Sequence, residues 1–286
     1  MTIQTIDQRR RDIGGGMEVG RVLPYAGGHM VGPFVFFDHI GPVRLAQGLA
    51  RTVDVRPHPH IGLATVSYLF SGEIMHRDSV GSEQAIRPGE VNWMTAGSGI
   101  THSERFEHAR AHGDLLHGIQ SWVALPVEHE EAAPAFGHYE GAQLPLFDEP
   151  GVRGRVLAGS AFGIEAAVPV LSPLFYLDLR LQAGASWQLP RYPERAVYVA
   201  EGEVEAAGGH WHAGQMLIFS ADDAAVVRAV TAAVLIGLGG EPLGPRFIEW
   251  NFVSSRRERI EQARADWRAG RMKLPDLDNQ EFIPLP

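Results

Sequence analysis

The stretch Pro57-His-Pro-His-Ile-Gly-Leu-Ala-Thr-Val-Ser-Tyr-Leu-Phe-Ser-Gly72 decides the fold. Its second part, Leu63 to Phe70, is an apolar run rich in strand-forming residues that stops at Ser71-Gly72. It reads as a β-strand closed by a turn, with Glu73 to Asp78 as its partner strand. Its first part sets His58 and His60 two positions apart with prolines interleaved. In extended backbone, residues i and i+2 project to the same face. Pro57 and Pro59 lack N–H donors, which favours a sheet edge or barrel mouth over a central strand.

Outward from this stretch the same grammar continues. Arg87-Pro88-Gly89-Glu90 is a second turn, Val91 to Met94 an apolar strand, and Leu115 to Leu125 an extended segment ended by Pro126. Tyr68-Leu-Phe-Ser-Gly72-Glu73-Ile74 recurs 130 residues on as Tyr198-Val-Ala-Glu-Gly202-Glu203-Val204, and Pro88-Gly89-Glu90-Val91 recurs more weakly as Ala213-Gly214-Gln215-Met216. A repeat of this kind predicts an all-β protein of two similar jelly-roll barrels. The polar turn Asp148-Glu149-Pro150-Gly151 marks the boundary region. The expected division is residues 1–145, residues 146–250, and a helix and tail over 251–286. Ser255-Arg-Arg-Glu258 reads as a capping box, Ile260, Ala263 and Trp267 share one helical face, and Gly270 sits where the helix would end.

Composition narrows the function. With 33 glycines and 19 prolines among 286 residues, and 45% hydrophobic residues, the chain is turn-rich yet has ample core material. A net charge of −9 argues against holding a nucleic-acid backbone. The longest apolar stretch, Ala224 to Leu238, is broken by Arg228, so no membrane helix is expected, and the Arg9-Arg10-Arg11 start lacks a signal-peptide core. A cytoplasmic location is the expectation. Zero cysteines exclude disulfides, zinc–thiolate sites and thiol catalysis. Lys273 is the single lysine against many arginines and alanines, a bias that suggests a GC-rich bacterial genome.

Histidine carries the chemistry. Of 13 histidines, His58-Pro59-His60 and His102-Ser103-Glu104 form two dyads able to present three imidazoles and a carboxylate. That mixed N/O set suits one divalent transition metal: Fe(II), Mn, Ni, Co, Cu or Zn. His-x-His alone is weak, because the composition makes such pairs common by chance. The other pair, His210-Trp211-His212, lies in the second hairpin's turn and reads as structural. The repeat places the first dyad's counterparts at Gln188 and Pro190, so the second barrel is expected to be metal-free.

The arrangement resembles the cupin signature, except that the usual glutamate of the first element is replaced by the Ala64-Thr65 region, leaving Glu104 as the carboxylate donor. The longer strings resemble the pirin family of bicupins more narrowly: the 57–72 stretch, Met94-Thr-Ala-Gly-Ser-Gly-Ile-Thr-His-Ser-Glu104, Leu116-His-Gly-Ile-Gln-Ser-Trp-Val-Ala-Leu-Pro126 and Gly32-Pro-Phe-Val-Phe-Phe-Asp38. The resemblance implies two tandem cupin barrels with a C-terminal helix. It implies one metal, most often iron, held by the residues matching His58, His60, His102 and Glu104. It also implies either a dioxygenase that opens flavonols such as quercetin with O₂ and releases carbon monoxide, or a non-catalytic, iron-dependent redox-sensing partner protein. In the enzyme reading Glu104 is also the catalytic base, and the partners are a small aromatic enol and O₂. Alanine at position 64, where many relatives carry glutamate, bears on substrate preference.

The remaining candidates have plainer readings. His76 is open between a residue behind the ligands, a pocket wall and a hydrogen-bonded barrel histidine. His117 reads as structural, and His108 and His112 as residues of a solvated loop. Phe34, Phe36 and Phe37 read as core, with Asp38 a candidate for lining the mouth.

Overall fold

The computed structural model describes residues 3–25 and 30–286, and strands dominate it. It divides into two compact units. One comprises residues 1–9, 20–39 and 142–243; the other comprises 10–19, 40–141 and 244–286. Each is a jelly-roll barrel of two sheets. Gln4–Asp7 pairs antiparallel with Gln215–Phe219, so the N-terminal strand groups with the second half of the chain. Residues 244–286, including the C-terminal helix, group with the first half.

In the histidine-rich unit, one sheet runs in the order Val55–His60, Ile100–Arg105, Ile74–Asp78, Glu83–Ile86. In the other, Ala135–Tyr139, Val91–Thr95, Leu63–Ser71 and Asp114–Ala124 are neighbours in that order. The strands on either side of Gly72 therefore lie in different sheets, and the expected hairpin is an inter-sheet corner. Leu63–Ser71 instead pairs with Val91–Thr95 and Asp114–Ala124. The reason is local: Gly72 has φ +89°, and a Cβ there would stand 3.0 Å from the Leu115 carbonyl oxygen. The chain turns out of its sheet where only glycine fits.

The repeat survives at the level of single hydrogen bonds. Gly202 makes the same corner with φ +83°. Gly89 N donates to Leu69 O at 2.8 Å, and Gly214 N donates to Val199 O at 2.9 Å, acceptors that are 130 positions apart. The interiors differ. The second-half unit is filled by apolar side chains, among them Phe175, Trp187, Leu189, Val197 and Leu217.

The C-terminal helix, Arg257–Arg268, buries Ile260, Ala263 and Trp267 against Ile61 and Phe252, as their spacing predicts. The capping box does not form. Arg256 is the N-cap without a side-chain bond, because Ser255 is taken by Glu130, which accepts from its backbone N at 2.7 Å and its hydroxyl at 3.1 Å. No helix among the described residues is long and apolar enough to cross a membrane.

Candidate metal centre

His58 and His60 lie on the edge strand Val55–His60, where Pro57 and Pro59 cost no ladder hydrogen bond to a second strand. The adjacent strand, Ile100–Arg105, runs antiparallel with His102 opposite His58 and Ile100 opposite His60. Alternation on one strand and register with the next thus bring three imidazoles together from residues 42 positions apart in sequence. Their ring centroids are 4.4 to 5.0 Å apart, and one nitrogen from each lies within 4.8 Å of the others. All three are buried.

Hydrogen bonds set the tautomers. His58 Nδ1–H donates to the Arg56 carbonyl at 2.9 Å, and His60 Nδ1–H to the Asn251 carbonyl at 3.2 Å. Each Nε2 is then a bare lone pair. At its Nδ1, His102 meets a side chain instead. It faces His76 Nδ1 at 3.3 Å, and His76 Nε2 lies 2.9 Å from Asp78 Oδ2. With His76 as the neutral imidazole, an ionised Asp78 accepts from His76 Nε2–H, and His76 Nδ1 then accepts from His102 Nδ1–H. His102 Nε2 is therefore bare as well, and it stands 3.1 Å from His60 Nε2. Burial keeps the cluster neutral. It depresses His58 to about 4, and it holds His60 and His102 well below the usual imidazole value, with the neighbouring histidines adding to the effect. Three neutral imidazoles with convergent lone pairs are a donor set that a divalent transition metal fits.

Glu104 lies two residues beyond His102 on the same strand. The ladder slips between them: His102 is opposite His58, but Glu104 is opposite Val55, so one extra residue on the edge strand bulges and re-aims the pairing beyond it. Glu104 is mostly buried, and this desolvation raises its pKa to about 7. It lies outside the tight three-nitrogen grouping. The Trp122 and His60 rings meet nearly at right angles with centroids 5.1 Å apart, and Phe136 stacks on His76 at 4.4 Å, so aromatic rings pack against His60 and against the histidine next to His102.

Family comparison agrees with this geometry. The Pirin family model matches residues 16–123, and the Pirin C-terminal cupin domain matches residues 176–273. A pirin-like protein of Caulobacter vibrioides is 58% identical over 98% of both chains. The chain belongs to the pirin family. Two crystal structures of quercetin 2,3-dioxygenases from Acinetobacter baumannii share its fold. One is 32% identical at a TM-score of 0.90, covering 99% of this chain and 95% of that one. The other is 27% identical at 0.87, covering 95% and 97%.

The remaining candidate residues of this pirin-family protein lie away from the three clustered histidines. His117 is buried on Asp114–Ala124, 4.7 Å from the Phe70 ring and apart from the cluster. His108 and His112 lie on a short exposed helix, Glu107–His112, rather than in a loop, because the backbone closes Arg110 N onto Phe106 O. His210 and His212 are exposed on the strand Gly209–His212, where His210 faces Glu203 at 3.0 Å. Phe34 and Phe37 are core, in ring contact with Tyr176 and Tyr198. Asp38 does not line a mouth. It is buried in a bidentate pair with Arg21 at 2.8 and 2.9 Å, within the second-half unit. Asn251 is a contributor that sequence reasoning missed. It acts through a backbone carbonyl, 191 positions from His60, and carries no residue-type signal.

Proposed function

We propose that the protein is a mononuclear metal-dependent dioxygenase that opens flavonols such as quercetin with O₂. The observation that carries this reading is the convergence of three buried imidazoles, from His58, His60 and His102, with Glu104 two residues beyond His102 on the same strand. The quercetin 2,3-dioxygenase name of a structural relative at 32% identity supports it.

His58, His60, His102 and Glu104 would hold a divalent ion, iron(II) in this reading, and that ion would supply redox chemistry toward O₂. The chain's own residues do the rest. Glu104 takes the proton of the substrate's 3-hydroxyl, a role suited to a carboxylate whose desolvation raises its pKa to about 7. Trp122 against His60 and Phe136 stacked on His76 hold the imidazole rings in place, so that a substrate meets a fixed set of donors. The barrel excludes water from the enolate. The expected setting is the cytoplasm of a bacterium.

The deciding experiment is reconstitution of the metal-free protein with Fe, Mn, Ni, Co or Cu singly, then aerobic quercetin turnover with detection of carbon monoxide. Turnover with at least one metal is expected. Tight metal binding without turnover on any of them would move the assignment to a non-catalytic, redox-sensing partner protein.

A further inference from the structure

His58 and His60 are oriented by backbone carbonyls, which no substitution removes. His102 alone is oriented by side chains, through His76 to Asp78. Both residues are buried, on the strand Ile74–Asp78 that flanks the His102 strand, with Asp78 opposite His102 and His76 opposite Glu104. Asp78 is itself pinned. Its Oδ1 accepts from the backbone N–H of Val80 and of Ser82, both at 3.0 Å, so Oδ2 is the atom offered to His76.

We infer that His76 and Asp78 are positioning residues that set the tautomer of His102, so that Asp78 governs metal affinity through two intervening imidazoles. The inference rests on the proposed metal site. The relay has a direction. An ionised carboxylate at position 78 accepts a proton from His76 Nε2, His76 Nδ1 accepts from His102 Nδ1, and the His102 lone pair is left at Nε2 where the other two converge.

Asp78→Asn inverts the relay while keeping size and shape. The two backbone donors hold the amide oxygen, so the NH₂ group faces His76. His76 must then accept at Nε2 and donate from Nδ1, and His102 must accept at Nδ1 and carry its proton on Nε2, where it blocks ligation. His76→Phe, in contrast, keeps the ring stacked on Phe136 but cuts the relay, which leaves His102 free to take either tautomer.

The test is Co(II) titration of the full-length, metal-free protein against a competing chelator, with the ligand-field spectrum read in parallel. Asp78→Asn should weaken Co(II) binding by about ten- to a hundredfold and alter the spectrum toward fewer nitrogen donors. His76→Phe should weaken it less. The double variant Asp78→Asn/His76→Phe should recover the affinity of His76→Phe alone, because the inverted relay is gone. A purely structural role for Asp78 predicts the reverse order and no recovery.

Asp78→Asn affinity within about threefold of wild type, or a double variant no tighter than Asp78→Asn, would overturn the inference while leaving the site intact. Wild-type protein that takes up no Co(II) would overturn both. Nitrogen-15 NMR of the metal-free wild type gives a check independent of any variant's folding. His102 should be protonated at Nδ1 and His76 at Nε2, and the opposite assignment refutes the relay.

Discussion

Nε2 of His60 and Nε2 of His102 lie 3.1 Å apart, although the partners of the two rings leave neither with a proton to donate to the other. Two lone pairs at that separation repel in a site that excludes water. A cation shared by the rings turns that repulsion into attraction, so the tautomers that the surrounding hydrogen bonds impose are those a metal site needs.

One metal per chain is expected, held by the first-half histidines. His58→Ala or His102→Ala should abolish tight binding, whereas His210→Ala, at an exposed histidine paired with Glu203, should leave it unchanged. Elemental analysis of the full-length variants after chelation and reconstitution checks this. Equal metal loss in all three would mean that the site is misassigned.

Glu104→Gln should keep the metal through three imidazoles and lose quercetin turnover by about 10²–10⁴-fold, the usual cost of removing a general base. Steady-state kinetics alongside metal content separates the two effects. Retained metal with near-normal turnover refutes the base role.

The metal-free protein should lose stability as the pH falls from about 6.5 toward 4. His58 titrates near 4 in the folded chain, and the unfolded chain binds that proton near 6.5. Above 6.5 both states are neutral and the linkage vanishes; between the two values the unfolded state binds more protons and gains. Each such histidine contributes about 1.4 kcal/mol per pH unit across its window. Glu104 acts oppositely. Its folded value of about 7 exceeds the unfolded one, so its contribution falls as the pH rises from about 4.5 to 7. Denaturant titrations at stepped pH should therefore show a steeper acid loss in Glu104→Gln than in wild type, and a shallower one in His58→Phe.

Asp278→Ala should destabilise the fold by about 3 kcal/mol, the lower end for breaking a buried ion pair. Arg105 is buried and donates to both Asp278 oxygens at 2.7 and 2.8 Å, with Glu281 and Asp54 remaining as partial partners. Asp276→Ala, which removes the exposed partner of Lys273, should cost less than about 1 kcal/mol. Paired urea melts of the two variants make the comparison.

The sequence by itself determined the strands, the two-barrel repeat and the three histidines that cluster. These features are local: alternation puts His58 and His60 on one face, prolines mark their strand as an edge, and Gly72 and Gly202 mark turns 130 residues apart. Tertiary structure decided which strands pair. The segments around Gly72 read as a hairpin because hairpins and inter-sheet corners share the same turn chemistry, and only long-range burial separates them. It also decided that Ser255 serves Glu130 instead of capping its own helix, and that Asp38 is closed off by Arg21. Above all it decided the orientation of the clustered imidazoles. The Asn251 carbonyl and the His76–Asp78 pair act through hydrogen bonds, which depend on where atoms end up in space. Residue type and spacing along the chain do not encode that position.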